Sequence, residues 1–227
     1  MHEGHRKRIR EKYRRNGLEN FADHEVLELL LFYANKRGDT NETAHRLLQR
    51  FGSLSAVLEA SYDELLQVDD VGDIAATLVT LVPALFRRYS EDKVSSIKEI
   101  CSAQQAIDYS KPKFFGLSTE RGALIFLDAQ NRVKNFMFVC EGSLNTTSLD
   151  IRKCVQLALN NNASSVILVH NHPTGVASPS RTDVETTQAL VAAMAPIGIT
   201  VSDHLVLTDS DAFSMASHER LATIFQR

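Results

Sequence analysis

The sequence predicts an α/β (α+β) protein with two domains, helical over residues 1–95 and mixed strand and helix over residues 96–227. Three observations carry that expectation. Apolar residues recur at helical spacing up to about residue 89. Beyond residue 98, short β-type apolar runs alternate with helical stretches. Between them, Ser90-Glu-Asp-Lys-Val-Ser-Ser-Ile-Lys98 is polar and weakly periodic, the composition of a linker. A length of 227 residues fits one or two domains.

In chain order, Asp23 caps an apolar helix that runs to Ala34, with Glu25 in its first turn. A second helix spans Asp39–Phe51, with Ala44, Leu47, Leu48 and Phe51 on one face and Gly52 as its stop. Ser53 and Ser61 are N-caps for short helices over Leu54–Ala60 and Tyr62–Val68. A longer helix follows Gly72 and reaches about Tyr89, with Pro83 a point for a kink. The runs Ala123–Asp128 and Val133–Val139 form a hairpin turning at Gln130-Asn131. Asp150–Asn161 is an amphipathic helix, and Ser165-Val-Ile-Leu-Val169 is a central strand buried on both faces. A helix over Thr182–Met194 follows, and His204–Leu207 closes the sheet.

Composition narrows the class of protein. The chain is 44% hydrophobic and 23% charged, enough apolar mass for a core. No apolar run approaches the length of a membrane span and no signal pattern opens the chain, so a soluble cytoplasmic protein without a membrane partner is expected. Three cysteines are too few for a disulfide framework. Residues 1–95 hold 14 basic against 16 acidic side chains, and residues 96–227 hold 11 against 12, so neither half is built as a polyanion binder. The local exception is His5–Arg15, with seven Lys and Arg and one acid. It reads first as a solvated terminal helix anchored by Ile9 and Tyr13. Its alternative is an arm in which Arg6, Lys7, Arg8 and Arg10 touch phosphates, with weak duplex binding.

The segment that carries chemistry is His170-Asn-His-Pro-Thr-Gly-Val-Ala-Ser-Pro-Ser-Arg-Thr-Asp183. His170 and His172 come directly after the buried strand, and alternate residues of an extended chain share a face. A loop bracketed by Pro173 and Pro179 then enters a helix capped by Ser180, which can return Asp183 to the two imidazoles. Two His and one carboxylate leave a fourth tetrahedral position open, the pattern of a catalytic zinc (Zn2+). Taken singly, Ser180-x-x-Asp183 is an ordinary helix start and His-Asn-His-Pro a polar turn; jointly they specify a metal site.

The same segment matches the JAMM motif of the MPN+ metallopeptidases at every ligand position. With Leu168-Val, Pro179-Ser180 and Asp203-His204-Leu205 it resembles the RadC family, traditionally labelled DNA repair proteins, and His45–Leu54 extends the resemblance upstream. The resemblance implies a helical domain followed by an MPN domain, a twisted sheet flanked by helices and related to the cytidine-deaminase fold. It implies that His170, His172 and Asp183 bind zinc, that Ser180 stabilises the tetrahedral intermediate, and that an upstream Glu activates the attacking water. Residues 120 and 141 lie roughly opposite each other at the hairpin's open end, and both are Glu. Glu120 matches the JAMM position, before the first strand; Glu141 is the second candidate for the general base. The signatures of zinc deaminases, His-x-Glu and Pro-Cys-x-x-Cys, are absent from the sequence.

The family also carries a helix-hairpin-helix-like element where Val68–Thr77 stands. Such hairpins hold DNA phosphates on backbone N–H groups of a Gly-hydrophobic-Gly turn. Only Gly72 is present; Asp70 replaces the first Gly, and Asp69 and Asp73 add negative charge, so the element is expected to be a degenerate packing unit. The resulting expectation is a zinc-dependent metallopeptidase or isopeptidase acting on a protein or peptide substrate. The alternative is a DNA-associated repair or recombination protein with a nuclease or scaffold role.

Overall fold

Asp39, Ser53 and Ser61 each accept a hydrogen bond from a free backbone N–H of a helix's first turn, and these caps punctuate the first part of the chain. A computed structural model of the protein describes residues 2–35, 39–94, 96–142, 149–173 and 175–226. The chain divides into two compact units, Met1–Phe86 and Arg87–Arg227. No helix among the described residues is long and apolar enough to cross a membrane.

The first unit contains α1 (His2–Asn16), α2 (Asp23–Ala34), α3 (Thr40–Phe51), α4 (Leu54–Glu59), α5 (Tyr62–Leu66) and the start of α6 (Asp73–Val94). Its core joins Leu27 and Leu31 of α2 with Val57, Leu65, Val71, Ala76, Val79 and two residues of the face predicted for α3, Ala44 and Leu47; Leu48 and Phe51 of that face pack against it partly buried. The opposite side of α2 receives α1, with Ile9 packed on Leu29 and Phe32. Asp23 is the first residue of α2 and not its cap; Ala22 holds that position, and Glu25 reaches back to the Ala22 N–H at 3.0 Å. α6 also runs past Tyr89 to Val94. Residues 90–94, read as part of the linker, include no helix breaker, and of them Asp92 and Lys93 are exposed.

The second unit contains α7 (Ala103–Phe114), β1 (Arg121–Leu127), β2 (Val133–Glu141), α8 (Ile151–Asn160), β3 (Ser165–Asn171), α9 (Arg181–Met194), β4 (Thr200–Leu207) and β5 (Ala212–Ser214). The sheet order is β2-β1-β3-β4-β5, with β3 and β4 parallel and the other neighbours antiparallel. This mixed sheet with flanking helices bears out the α/β expectation. β4 does not close it: β5 pairs along its outer side. Even-numbered Leu124, Phe126, Val166 and Leu168 pack with Cys154, Leu190 and Met194 of α8 and α9. Odd-numbered Ala123, Ile125, Ile167 and Val169 pack with Ala106 and Phe114 of α7. That parity decides the site, because His170 continues the even series toward α9.

Candidate metal centre

All seven residues of β3 are buried, including His170 and Asn171. His172 follows the strand, its backbone N–H still held by the Leu207 carbonyl of β4 at 2.8 Å. Its Nδ1 lies 3.2 Å from the Val176 carbonyl. A carbonyl only accepts, so Nδ1 carries the hydrogen and Nε2 keeps its lone pair. That Nε2 stands 2.9 Å from Nε2 of His170.

Asp183 arrives at the same point from the first turn of α9. Ser180 caps this helix: its Oγ accepts from the Asp183 N–H at 3.2 Å, while the Asp183 carboxylate accepts from the Ser180 N–H at 2.7 Å. The carboxylate oxygens lie 3.4 Å from His170 Nε2 and 3.8 Å from His172 Nε2. Burial alone would raise the Asp183 pKa. A hydrogen bond from His170 Nε2–H (the hydrogen a bound metal would displace) and the charge of that ring, with the two bonds from Ser180, outweigh it and hold the carboxyl well below the usual carboxylate range.

Glu120 also lies beside the histidine pair. One carboxylate oxygen of Glu120 and one nitrogen each of His170 and His172 lie within 4.8 Å of one another. Glu141 is elsewhere. The β1–β2 register shifts between Gly122 and Ala123, so Arg121 and not Glu120 faces Glu141. Arg121 and Glu141 form an exposed ion pair at 2.9 Å. The two carboxylates expected to be opposite each other are thus separated in role: one beside the imidazoles, the other paired with an arginine.

The donor set suits a metal ion. Around a tetrahedral metal with bonds of about 2.0–2.1 Å, neighbouring ligand atoms sit about 3.3–3.4 Å apart. The 2.9, 3.4 and 3.8 Å separations bracket that value. Two imidazole nitrogens and a carboxylate this close need a hydrogen or a metal ion between them, and a nitrogen–oxygen set of this kind could hold a divalent cation.

Three further residues complete the surroundings, and motif reading assigned none of them a role. The Asn171 side chain accepts from the Arg121 N–H at 2.7 Å and donates to the Thr119 carbonyl at 3.1 Å, bracketing Glu120. His204 of β4, fully buried, places Nε2 2.8 Å from His170 Nδ1. Burial, with His170 nearby, pushes its pKa well below the usual histidine value. Thr187 of α9 lies 2.6 Å from His204 Nδ1. One signal was legible: Thr187 is one helical turn beyond Asp183, on the same face.

In the first unit, the hairpin between α5 and α6 turns through Asp70 at φ 64°, the left-handed conformation that a glycine adopts most easily. Arg46 pairs with its carboxylate. On α1, Lys7, Arg8 and Arg10 are exposed. Arg6 lies over the Phe32 ring at 4.9 Å, so part of the expected basic arm packs against α2.

Two stretches of the chain match known families. Residues 100–221 match the family described as a RadC-like JAB domain, and residues 40–81 match a helix-hairpin-helix motif. A UPF0758 protein of Fusobacterium nucleatum subsp. nucleatum is 33% identical over 219 residues, which covers 93% of this chain and 94% of that relative.

Proposed function

The chain belongs to the RadC-like JAB domain family, and from that premise we propose that it is a zinc-dependent hydrolase of amide bonds, a metallopeptidase or isopeptidase. The observation that carries the reading is the convergence of His170 Nε2, His172 Nε2 and the Asp183 carboxylate, with Glu120 beside the histidine pair. His170, His172 and Asp183 would hold the metal. When bound, zinc supplies Lewis acidity, which polarises a carbonyl and makes water acidic enough to attack near pH 7.

The protein's own groups perform the remaining work. Glu120 takes the proton of the attacking water and passes it to the leaving amine, the acid–base role of a positioned carboxylate. Ser180 serves two ends: its Oγ accepts from the Asp183 N–H, and its hydroxyl hydrogen, which bonds the Asp183 carboxylate in the resting site, turns to the oxyanion. No side chain needs to form a covalent bond with the substrate.

Elemental analysis after expression in zinc-supplemented medium tests the reading. One zinc per chain is expected in the wild type and none in His172→Ala, because two protein ligands hold zinc poorly. Amide, isopeptide and phosphodiester substrates then define the bond cleaved. Failure to take up zinc by titration would overturn the proposal.

A second reading, association with duplex DNA, is favoured by the exposed cations of α1 and by the helix-hairpin-helix match. In this reading α1 touches phosphates, whereas Asp69, Asp70 and Asp73 make the hairpin a poor phosphate cradle. Salt-dependent binding of a labelled duplex by the full chain tests it.

A further inference from the structure

His170 Nδ1, His204 and Thr187 form a hydrogen-bonded row that ends on the backbone of Asp183. Thr187 Oγ1 is 2.6 Å from the Asp183 carbonyl, 2.6 Å from His204 Nδ1 and 3.8 Å from Met215 Sδ. A hydroxyl has one hydrogen, and the short contact to a carbonyl, which only accepts, claims it. The hydroxyl oxygen must then accept from His204, so His204 Nδ1 carries a hydrogen. His204 has no exposure to solvent. A neutral imidazole with its hydrogen on Nδ1 keeps Nε2 as a lone pair. At 2.8 Å that lone pair accepts from His170 Nδ1–H.

We propose that Thr187 and His204 are positioning residues that fix the tautomer of His170, so that its Nε2 lone pair points at the metal. The proposal rests on the metal-site reading above and deepens it. The usual partner of a ligating histidine is a carboxylate, a carbonyl or water. Here it is a second, buried imidazole, itself set by a hydroxyl anchored one turn beyond Asp183. The row starts at one ligand and ends at the main chain of another, so two donors of the site share one hydrogen-bond circuit. Strand parity builds it: Leu205 and Leu207 pack with the α7-side core, which turns His204 toward α9.

The experiment pairs nitrogen-15 NMR of the imidazoles in the metal-free protein with zinc affinity measured by chelator competition. In the wild type, His204 should carry hydrogen on Nδ1 alone, and His170 should carry it on Nδ1. Thr187→Val keeps the shape and removes the hydroxyl; zinc affinity should fall about tenfold to a hundredfold. His170 should then show mixed tautomers. Thr187→Ser should restore both readouts, which a merely structural role for the methyl group would not. Wild-type His204 with its hydrogen on Nε2 overturns the proposal whatever the variants do. So does a folded Thr187→Val protein with wild-type affinity and an unchanged His170 tautomer. Should the wild type bind no zinc, the metal reading fails by itself, and the NMR of His170 and His204 still decides the relay.

Discussion

Asn171 holds Glu120 from both sides, its side-chain amide bridging the carbonyl of the residue before and the N–H of the residue after. The residue between the two histidines thereby sets the position of a carboxylate 51 places earlier in the chain. Asn171 is 5% exposed, so neither bond is readily replaced by water.

Asn171→Leu should therefore lower stability by about 1–3 kcal/mol, the cost of leaving polar groups without partners. Urea denaturation measures the loss, and hydrogen exchange at the Arg121 amide should accelerate. An unchanged midpoint with unchanged Arg121 protection would remove the clamp from the account.

Glu120→Gln and Glu141→Gln separate the two carboxylates. The first keeps the side chain's size but cannot accept a proton, so zinc content should stay near one per chain. Its turnover of an amide substrate selected from a peptide library should fall about 10²–10⁴-fold. Glu141→Gln loses only an exposed ion pair with Arg121, and such pairs contribute about 0–1 kcal/mol. Its turnover should stay within about threefold of wild type. The opposite pattern would assign the base to Glu141.

Ser180→Ala removes the cap of α9 as well as the hydroxyl proposed to serve the oxyanion. A stability loss of about 0.5–2 kcal/mol is expected from the cap alone. Ser180→Thr preserves both groups and should recover both stability and turnover. If the alanine variant melts like wild type, the capping bond to Asp183 contributes nothing.

Duplex binding, where present, should be weak, steeply salt-dependent and carried by α1. Replacing Lys7, Arg8 and Arg10 with Ala should abolish it, each lost phosphate contact flattening the log–log salt dependence by about 0.9. Arg6→Ala should act differently, by loosening α1 from Phe32. Asp70→Gly suits the left-handed turn and removes a charge, yet should leave affinity within about twofold. A tenfold rise would move the contact to the hairpin.

What the sequence made legible was local. The caps at Ser53 and Ser61, the glycine stop at Gly52 and the buried run of β3 each follow from a few neighbouring residues. The spacing of His170, His172 and Asp183 is a property of one strand–loop–helix segment. Features needing distant partners were harder to read. β5 has three residues, too short for a periodic signal. α7 buries only Ala106, Ser110 and Phe114 along one line and carries Pro112 inside it, so its pattern is thin. The hairpin register follows from two shifts that no turn residue announces. Asn171, Thr187 and His204 look like a turn amide, a helical hydroxyl and a polar residue within a strand until β1, α9 and β4 bring them to the same place.

The imidazoles of His170 and His172 stand at the end of a strand locked between two others, and the Asp183 carboxylate stands in a capped helix packed on the same sheet. Their donor atoms lose their conformational freedom when the chain folds. Metal capture then has little further ordering entropy to overcome, unlike in small zinc modules where folding and binding are one event. A chelator should strip such a site while the sheet amides keep their exchange protection, and re-addition should restore it without a refolding phase. The proposed site therefore predicts an occupancy that varies with metal supply while the fold persists.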